Sequence, residues 1–382
     1  MHDEDFKEIL REVRRFVRNE VVPLEAEIDA EDEVPERLRE QAKAMGLYGF
    51  ALPEEHGGGG MSLTEEVQLA FELGYTAPAF RSMFGTNNGI GGQVVLKGGT
   101  PEQQAELLPR LASGELTSCF ALTESEAGSD PAGLSTSARR EDGGWVIDGA
   151  KRYITNAPVA DLFMVFARTS PAAERPADGI SVFAVPRDTP GLSVAPKDHK
   201  MGQFGAWTAD VLLDGVRVGE DALIGAEGSG YRTAMRCLAH GRLHIAAVCV
   251  GMCQRLVEES VAFARERRQG GKPIAGHQLI QALLADSQTD TLAARALVLE
   301  SARAFDAGTD TRMGPAAAKY FASEAVGRVA DRAVQIHGGA GYMRGVPVER
   351  FYRDARLFRI YEGTSQIQQL IIARQTIGAA AG

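Results

Sequence analysis

A single carboxylate, Glu362, stands in an otherwise apolar or neutral turn within the run Arg359-Ile360-Tyr361-Glu362-Gly363-Thr364-Ser365-Gln366-Ile367-Gln368-Gln369. Gly363 leaves room beside it, where a bulky side chain would block a flat ligand. Thr364 and Ser365 can cap the helix that follows. Ile367, Leu370 and Ile371, at i, i+3, i+4, predict that one face of that helix is buried. A glutamate at such a helix entry becomes a stronger base if its surroundings are apolar. The competing reading is a structural glutamate favoured by the positive end of the helix dipole. Two histidines, His240 and His244, are spaced i, i+4 on another helical stretch and could hold a metal. No third ligand is apparent, so they read as packing or surface groups and no metal is expected.

The segment from Tyr361 to Gln368 resembles the C-terminal signature of the acyl-CoA dehydrogenase family, and other motifs agree with it. The resemblance implies that Glu362 removes the α-proton of the substrate, with Gly363 beside the substrate and Thr364 and Gln366 beside the cofactor. Some relatives carry their catalytic Glu at the position of Gly241, so here the base must come from Glu362. Arg242 is similar to an Arg that supports the active-site carboxylate. Phe120-Ala121-Leu122-Thr123-Glu124-x-x-Ala127-Gly128-Ser129-Asp130 resembles the family's first signature. It implies that Phe120, Leu122, Thr123 and Gly128 contact the flavin cofactor, and that Ser129 lies near both the cofactor pyrophosphate and the thioester ligand. A polar turn of small residues suits this, because its N–H groups can approach an electron-rich ring. Without the resemblance it is a Gly/Ser turn after a short strand.

Lys151-Arg152-Tyr153-Ile154-Thr155-Asn156 is similar to the family's strand on the flavin face. That similarity implies that Tyr153 flanks the ring, where many relatives have Trp, and that Thr155 bonds it near the reactive nitrogen. The plain alternative is an ordinary strand aromatic. In relatives an Arg at the position of Arg267 reaches the cofactor pyrophosphate of a neighbouring subunit, a task suited to a guanidinium fork. Gly270 stands where most relatives have Phe, which removes an aromatic wall. Gln278, Gln335 and Gly339, the last within Gly338-Gly339-Ala340-Gly341-Tyr342, match further cofactor contacts. The glycines do not form Gly-x-Gly-x-x-Gly after a strand, so a nicotinamide-type site is not indicated. Arg81-Ser82 resembles the Arg-Ser pair of glutaryl-CoA dehydrogenases, whose Arg holds a distal carboxylate. An Arg buried in a pocket for a plain alkyl tail is expensive, whereas a carboxylate would pair with it. Arg81 facing solvent or an acidic neighbour at a domain seam, with a short- or medium-chain monocarboxylic substrate, is the other reading.

The resemblance as a whole implies FAD-dependent α,β-dehydrogenation of an acyl-CoA thioester to a trans-2-enoyl-CoA. The implied electron acceptor is an electron-transfer flavoprotein. The implied assembly is a homotetramer, and at least a dimer. A same-fold flavin oxidase or monooxygenase is the alternative within flavoenzymes. A non-catalytic acyl-CoA-binding scaffold is the alternative outside them, and retention of Glu362 together with the flavin motifs argues against it.

These residues need elements to hold them. The chain has 382 residues, 44% hydrophobic and 24% charged, as in an ordinary globular protein with two or three domains. A formal net charge of −10 gives no electrostatic support to a nucleic-acid role. No stretch approaches a membrane span. The acidic, amphipathic N-terminus reads as structure and not as a targeting peptide. Cys119, Cys237, Cys249 and Cys253 form no Cys-x-x-Cys pair and no disulfide framework, and the expected compartment is the cytoplasm. Cys249 and Cys253 share a helix face and read as small core residues.

Phe6, Ile9, Leu10, Val13, Phe16, Val17 and Val21 form a helical stripe that ends or kinks at Pro23. Pro35 opens a second helix and Gly46 closes it. After the glycine loop 57–60, Ser62-x-x-Glu65 is a capping box. Thr100-Pro101-x-Gln103 begins another helix, ending near Ser113-Gly114. The arrangement predicts a helical domain over 1–117, with Pro78 in a turn. Residues 145–147, 162–167, 180–185, 192–195 and 211–218 read as strands of a β-domain over 118–230, a sandwich or barrel, with a surface loop at 170–179. Helices at 235 to about 268, 277 to about 307, 315–337 and 364 onward predict an antiparallel four-helix bundle over 231–382. The fold class is thus multidomain α+β, in the order that the acyl-CoA dehydrogenase resemblance implies.

Overall fold

Helix-capping chemistry starts two helices of the N-terminal part. The computed structural model describes residues 3–170 and 174–379. Its first part carries helices α1 (Asp3–Phe16), α2 (Glu25–Glu31), α3 (Glu36–Ala44), α4 (Leu63–Leu73), α5 (Pro78–Gly89), α6 (Gly91–Gly98) and α7 (Pro101–Ala112). The α4 and α7 starts are reciprocal capping boxes, Ser62 with Glu65 and Thr100 with Gln103. Pro23 sits in a short 3₁₀ turn (Val22–Leu24) after a π turn (Val17–Val21), so the chain bends there before α2. Pro78 does not lie in a turn. It is the first residue of α5, where its missing N–H has no helical partner to lose.

A seven-stranded mixed sheet follows: β1 (Ser118–Ala121), β2 (Ser137–Glu141), β3 (Gly144–Thr155), β4 (Leu162–Arg168), β5 (Ile180–Pro186), β6 (Leu192–Val194) and β7 (Thr208–Gly219). The order is β1-β4-β2-β3-β7-β6, with β5 also paired to β4. Strand β4 is buried on both faces. Phe163, Val165 and Ala167 enter an inner core with residues of β3 and β7. Leu162, Met164 and Phe166 instead pack on α6, α7 and α8. The architecture is therefore sandwich-like, with its outer layer backed by helices. Of the expected loop 170–179, residues 171–173 lie outside the described residues, and Pro176–Gly179 forms a 3₁₀ turn.

The last part holds α8 (Gly230–Glu266), α9 (Gln278–Asp306), α10 (Met313–His337), α11 (Pro347–Ala355) and α12 (Ser365–Ala379). Helix α10 starts two residues before Pro315, because the Asp310 carboxylate accepts the N–H groups of Arg312, Met313 and Gly314 at 2.9, 2.9 and 2.7 Å. Cys249 and Cys253 are in the core. That core joins α8, α9 and α10 to Val67, Ala70 and Phe71 of α4, so the first helical unit is packed onto the bundle. The apolar stripe of α12 is not buried as its spacing predicted. Leu370 is 51% exposed, and Ile367 and Ile371 are only partly covered. Ser365 and Gln368 face inward instead.

Candidate active site

Glu362 and Gly363 both adopt left-handed backbone conformations, with φ of 56° and 86°. For a glutamate this is strained and persists only where the surroundings over-determine it. Those surroundings are visible. Thr364 Oγ1 accepts the Ile367 N–H at 3.3 Å and starts α12. The Gln368 side-chain amide donates to the carbonyls of Glu362 and Gly363 at 3.1 and 3.0 Å. Lys319 Nζ donates to the Gly363 carbonyl at 2.7 Å. Arg242 Nε donates to the Glu362 carbonyl at 3.4 Å. A Cβ on Gly363 would lie 2.6 Å from Gln368 Nε2, so the turn requires glycine for both space and backbone.

The Glu362 carboxylate rests on α8 where Gly241 has no side chain. A Cβ there would sit 3.0 and 3.1 Å from its two oxygens. Oε2 is buried and has no hydrogen-bond partner among the described residues. Burial pushes the Glu362 carboxyl up, while Arg81, Arg242, Lys319 and His240 pull it back without cancelling the shift. The pocket in front of it is lined by Arg81, Thr86, Thr155, Gln203, Gly241 and Tyr361, among others. Arg81 therefore faces the same cavity as Glu362.

His240 and His244 both bond the buried Glu66 carboxylate, at 2.6 and 2.7 Å. Arg81 Nε donates to His244 Nε2 at 2.8 Å, so His244 carries its proton on Nδ1 and passes it toward Glu66. Burial, and then Arg81, pull His244 down to about 4, which keeps it neutral at pH 7. Burial opposes ionising Glu66, but the two histidines more than offset this and hold it well below the usual carboxylate range. Glu66 is one residue past the capping-box Glu65. Its helix-face position, one turn before Ala70, was the signal available in the sequence.

The middle unit reaches the pocket through Thr155 of β3 and Thr208 of β7. The Arg152 N–H donates to the Thr123 carbonyl at 2.8 Å, which brings the turn after β1 beside Tyr153 and Thr155. Glu124 pairs with the buried Lys151 at 2.7 Å and accepts the N–H groups of Ser135 and Thr136. That network fixes the turn holding Leu122 and Thr123. Tyr153 is 60% exposed, with φ 57°, at a register shift in β3. Phe120 packs on Phe166 with ring centroids 4.7 Å apart. Gly128 and Ser129 are exposed, and nothing lies within 4 Å of a Cβ placed on Gly128. Asn156 ties the end of β3 to α5 through the Ser82 carbonyl and Thr86 Oγ1 at 2.8 and 2.9 Å.

Arg267, Gln278, Gln335 and Gly339 are not brought to this pocket. All four are exposed, at the end of the bundle where His337 stacks on Phe263 at 4.2 Å. From Lys319, beside the Glu362 turn, to Gln335 the α10 axis runs roughly 24 Å at 1.5 Å per residue. Gln366 is exposed on α12. Gly270 and Gly271, at φ 58° and 79°, make the turn of a two-stranded hairpin (Arg268–Gln269 with Lys272–Pro273). A phenylalanine at 270 would be strained in that turn. Gln203, Asp354 and Lys319 also belong to the site's surroundings and were not singled out by their sequence context. The Gln203 backbone N–H donates to the Asp354 carboxylate, whose burial pushes it up to about 7.

Known proteins share this order of domains. The acyl-CoA dehydrogenase N-terminal, middle and C-terminal domain descriptions match residues 3–115, 119–216 and 228–377. An acyl-CoA dehydrogenase of Bacillus subtilis (strain 168) is 38% identical over 366 residues, 96% of each chain. The structure of butyryl-CoA dehydrogenase from Megasphaera elsdenii superposes with a TM-score of 0.94 at 30% identity, covering 99% of both chains. Glutaryl-CoA dehydrogenase from Mycobacterium smegmatis superposes at 0.91 with 32% identity, covering 99% of this chain and 95% of that one. The chain belongs to the acyl-CoA dehydrogenase family, and it is an oxidoreductase of that family with FAD as cofactor. The residues present fit such a group. Tyr153 is an exposed aromatic, the Gly128-Ser129 turn is open, and Thr155 lines the carboxylate pocket.

Proposed function

We propose that this protein dehydrogenates acyl-CoA thioesters to trans-2-enoyl-CoA, with Glu362 as the base. The observation that carries this reading is the Glu362 carboxylate itself, buried against Gly241 with Oε2 unpartnered among the described residues, in a pocket shared with Thr155. Burial raises its basicity, and the proton taken from the α-carbon goes to a carboxylate oxygen. The backbone N–H of Glu362 is the donor assigned to the thioester oxygen as enolate charge develops. Thr123, Ser129, Tyr153 and Thr155 would hold FAD, which would supply the acceptor for the β-hydride. Leu122 and Phe120 shape the wall behind it. Arg242 and Gln368 hold the base's own carbonyl.

The pocket's far wall suggests a tail ending in a carboxylate. The Arg81 Nε is engaged by His244, which leaves the two terminal nitrogens of the fork for a pocket ligand. The test is kcat/KM for glutaryl- or adipyl-CoA over butyryl- or hexanoyl-CoA, in wild type and Arg81→Met. Loss of a bidentate pair shifts that ratio by on the order of tenfold to several hundredfold. An unchanged ratio overturns the carboxylate reading and leaves a monocarboxylic acyl-CoA as the substrate.

The exposure of Arg267, Gln278, Gln335 and Gly339, away from the chain's own pocket, supports a role at the cofactor of a second copy. The exposed Leu279, Leu292, Leu370 and Ile377 supply apolar surface for such an assembly, a homotetramer or at least a homodimer. An electron-transfer flavoprotein is the proposed acceptor, with the three units 1–117, 118–230 and 231–382 enclosing the site. The buried free thiols Cys119, Cys237, Cys249 and Cys253 suit the cytoplasm.

A further inference from the structure

Lys319 is a cation whose side chain is completely buried in the middle of the bundle, on α10. Such a group is expensive unless it has a specific partner. No carboxylate lies within ion-pair distance of it among the described residues. Its hydrogen bond goes to a backbone carbonyl, that of Gly363, at 2.7 Å. Gly363 follows the catalytic residue in two consecutive left-handed conformations. The same carbonyl takes a second bond from Gln368 at 3.0 Å. We infer that Lys319 is a positioning residue for Glu362, which clamps the strained Glu362–Gly363 turn through the Gly363 carbonyl and sets its positive charge beside the carboxylate.

Two links make up the argument. The first is geometric. A left-handed glutamate relaxes toward ordinary backbone unless its neighbours prevent it. Rotation of the peptide after Glu362 would break the Arg242 and Gln368 bonds to the Glu362 carbonyl, and rotation of the peptide after Gly363 would break the Lys319 bond and the other Gln368 bond. The second is electrostatic. The groups facing Glu362 are Arg81 from α5, His240 and Arg242 from α8, Lys319 from α10, and Cys237 and Tyr361. Facing Lys319 are Cys249 and Arg242 from α8, Glu324 on its own helix, and Glu362. Burial pulls the Lys319 ammonium down to about 8, so it is still charged at neutral pH. Of the cations near Glu362, Arg81 faces the ligand pocket and Arg242 bonds the Glu362 carbonyl. Lys319 alone among them bonds the carbonyl of the following glycine.

This inference rests on Glu362 being the base, and the experiment separates the two. FAD-loaded wild type, Lys319→Met, Lys319→Gln and Glu362→Gln are mixed anaerobically with butyryl- or glutaryl-CoA. Flavin bleaching is followed by stopped flow from pH 5.5 to 9, and crotonyl-CoA binding is measured alongside. Lys319→Met is expected to move the acidic limb of the rate profile upward by about one pH unit, so that the rate below that limb falls on the order of tenfold. Crotonyl-CoA affinity should change less than the rate. Lys319→Gln keeps a donor but loses the charge. It should show the same upward shift with a smaller loss of the plateau rate, and it serves if the Met variant does not fold. Lowered thermal stability with an unmoved pH profile in both variants overturns the inference and marks Lys319 as structural. Wild-type bleaching by Glu362→Gln would instead overturn the base assignment, whatever Lys319 does.

Discussion

Replacing Gly241 by Ala places a methyl group against the Glu362 carboxylate, 3.0 Å from one oxygen and 3.1 Å from the other. Ordinary contact begins near 3.4 Å, so the carboxylate must retreat by a few tenths of an ångström toward the substrate or sideways. A misplacement of about 1 Å can cost a hundredfold in rate, so a third to a half of that corresponds to roughly tenfold. The backbone effect has the opposite sign. Gly241 lies in the interior of α8, where Ala is favoured over Gly by about 0.5–1 kcal/mol. The variant should therefore unfold at the same or a slightly higher temperature, keep its flavin spectrum, and reduce more slowly with substrate. Stopped-flow anaerobic bleaching and a thermal melt on one preparation measure both. An unchanged bleaching rate would show that the carboxylate is not poised against Gly241 during turnover. A large loss of stability would show that the contact is rigid, and the reasoning about a yielding carboxylate would be wrong.

Two further outcomes follow from the same structure. Lys151→Met removes one partner of a buried pair and leaves Glu124 with the donors of Ser135 and Thr136. A loss of about 3 kcal/mol is expected, together with weaker FAD binding. In a double-mutant cycle with Glu124→Gln the two losses should not add, and strict additivity in thermal melts would contradict the coupling. Leu370→Glu with Ile377→Glu places charge on the exposed face of α12. Light scattering should then report a smaller assembly than wild type, and an unchanged mass would remove that face from the interface.

What the sequence made legible was local. Ser62 with Glu65 and Thr100 with Gln103 announced their helices because a capping box is complete within four residues. The turn at Glu362 was legible because its small and capping residues are contiguous. Strand β2 was not, since Ser-Ala-Arg-Arg-Glu buries only Ala138 and shows no alternation. The extent of β3 was hidden by Asp148, Lys151 and Arg152, whose partners Gly215, Glu124 and Asp210 are distant in sequence. The Arg81–His244–Glu66–His240 string is the clearest case. Four residues spread over more than a hundred and fifty positions become one hydrogen-bonded line only when α4, α5 and α8 pack. Two histidines at i, i+4 carried a metal alternative in the sequence, and the carboxylate that both of them bond could only be found in three dimensions. Lys319 was unreadable for the same reason. A lysine in a helix looks like a surface group until the turn it bonds is folded against it.

The central claim is that Glu362 takes the α-proton, and isosteric replacement tests it most directly. Glu362→Gln, loaded with FAD, should show the wild-type flavin spectrum and bind crotonyl-CoA with similar affinity. Its anaerobic bleaching by the best acyl-CoA substrate should be slower by about 10²–10⁴-fold, as expected for loss of a general base. Bleaching at the wild-type rate would contradict the account.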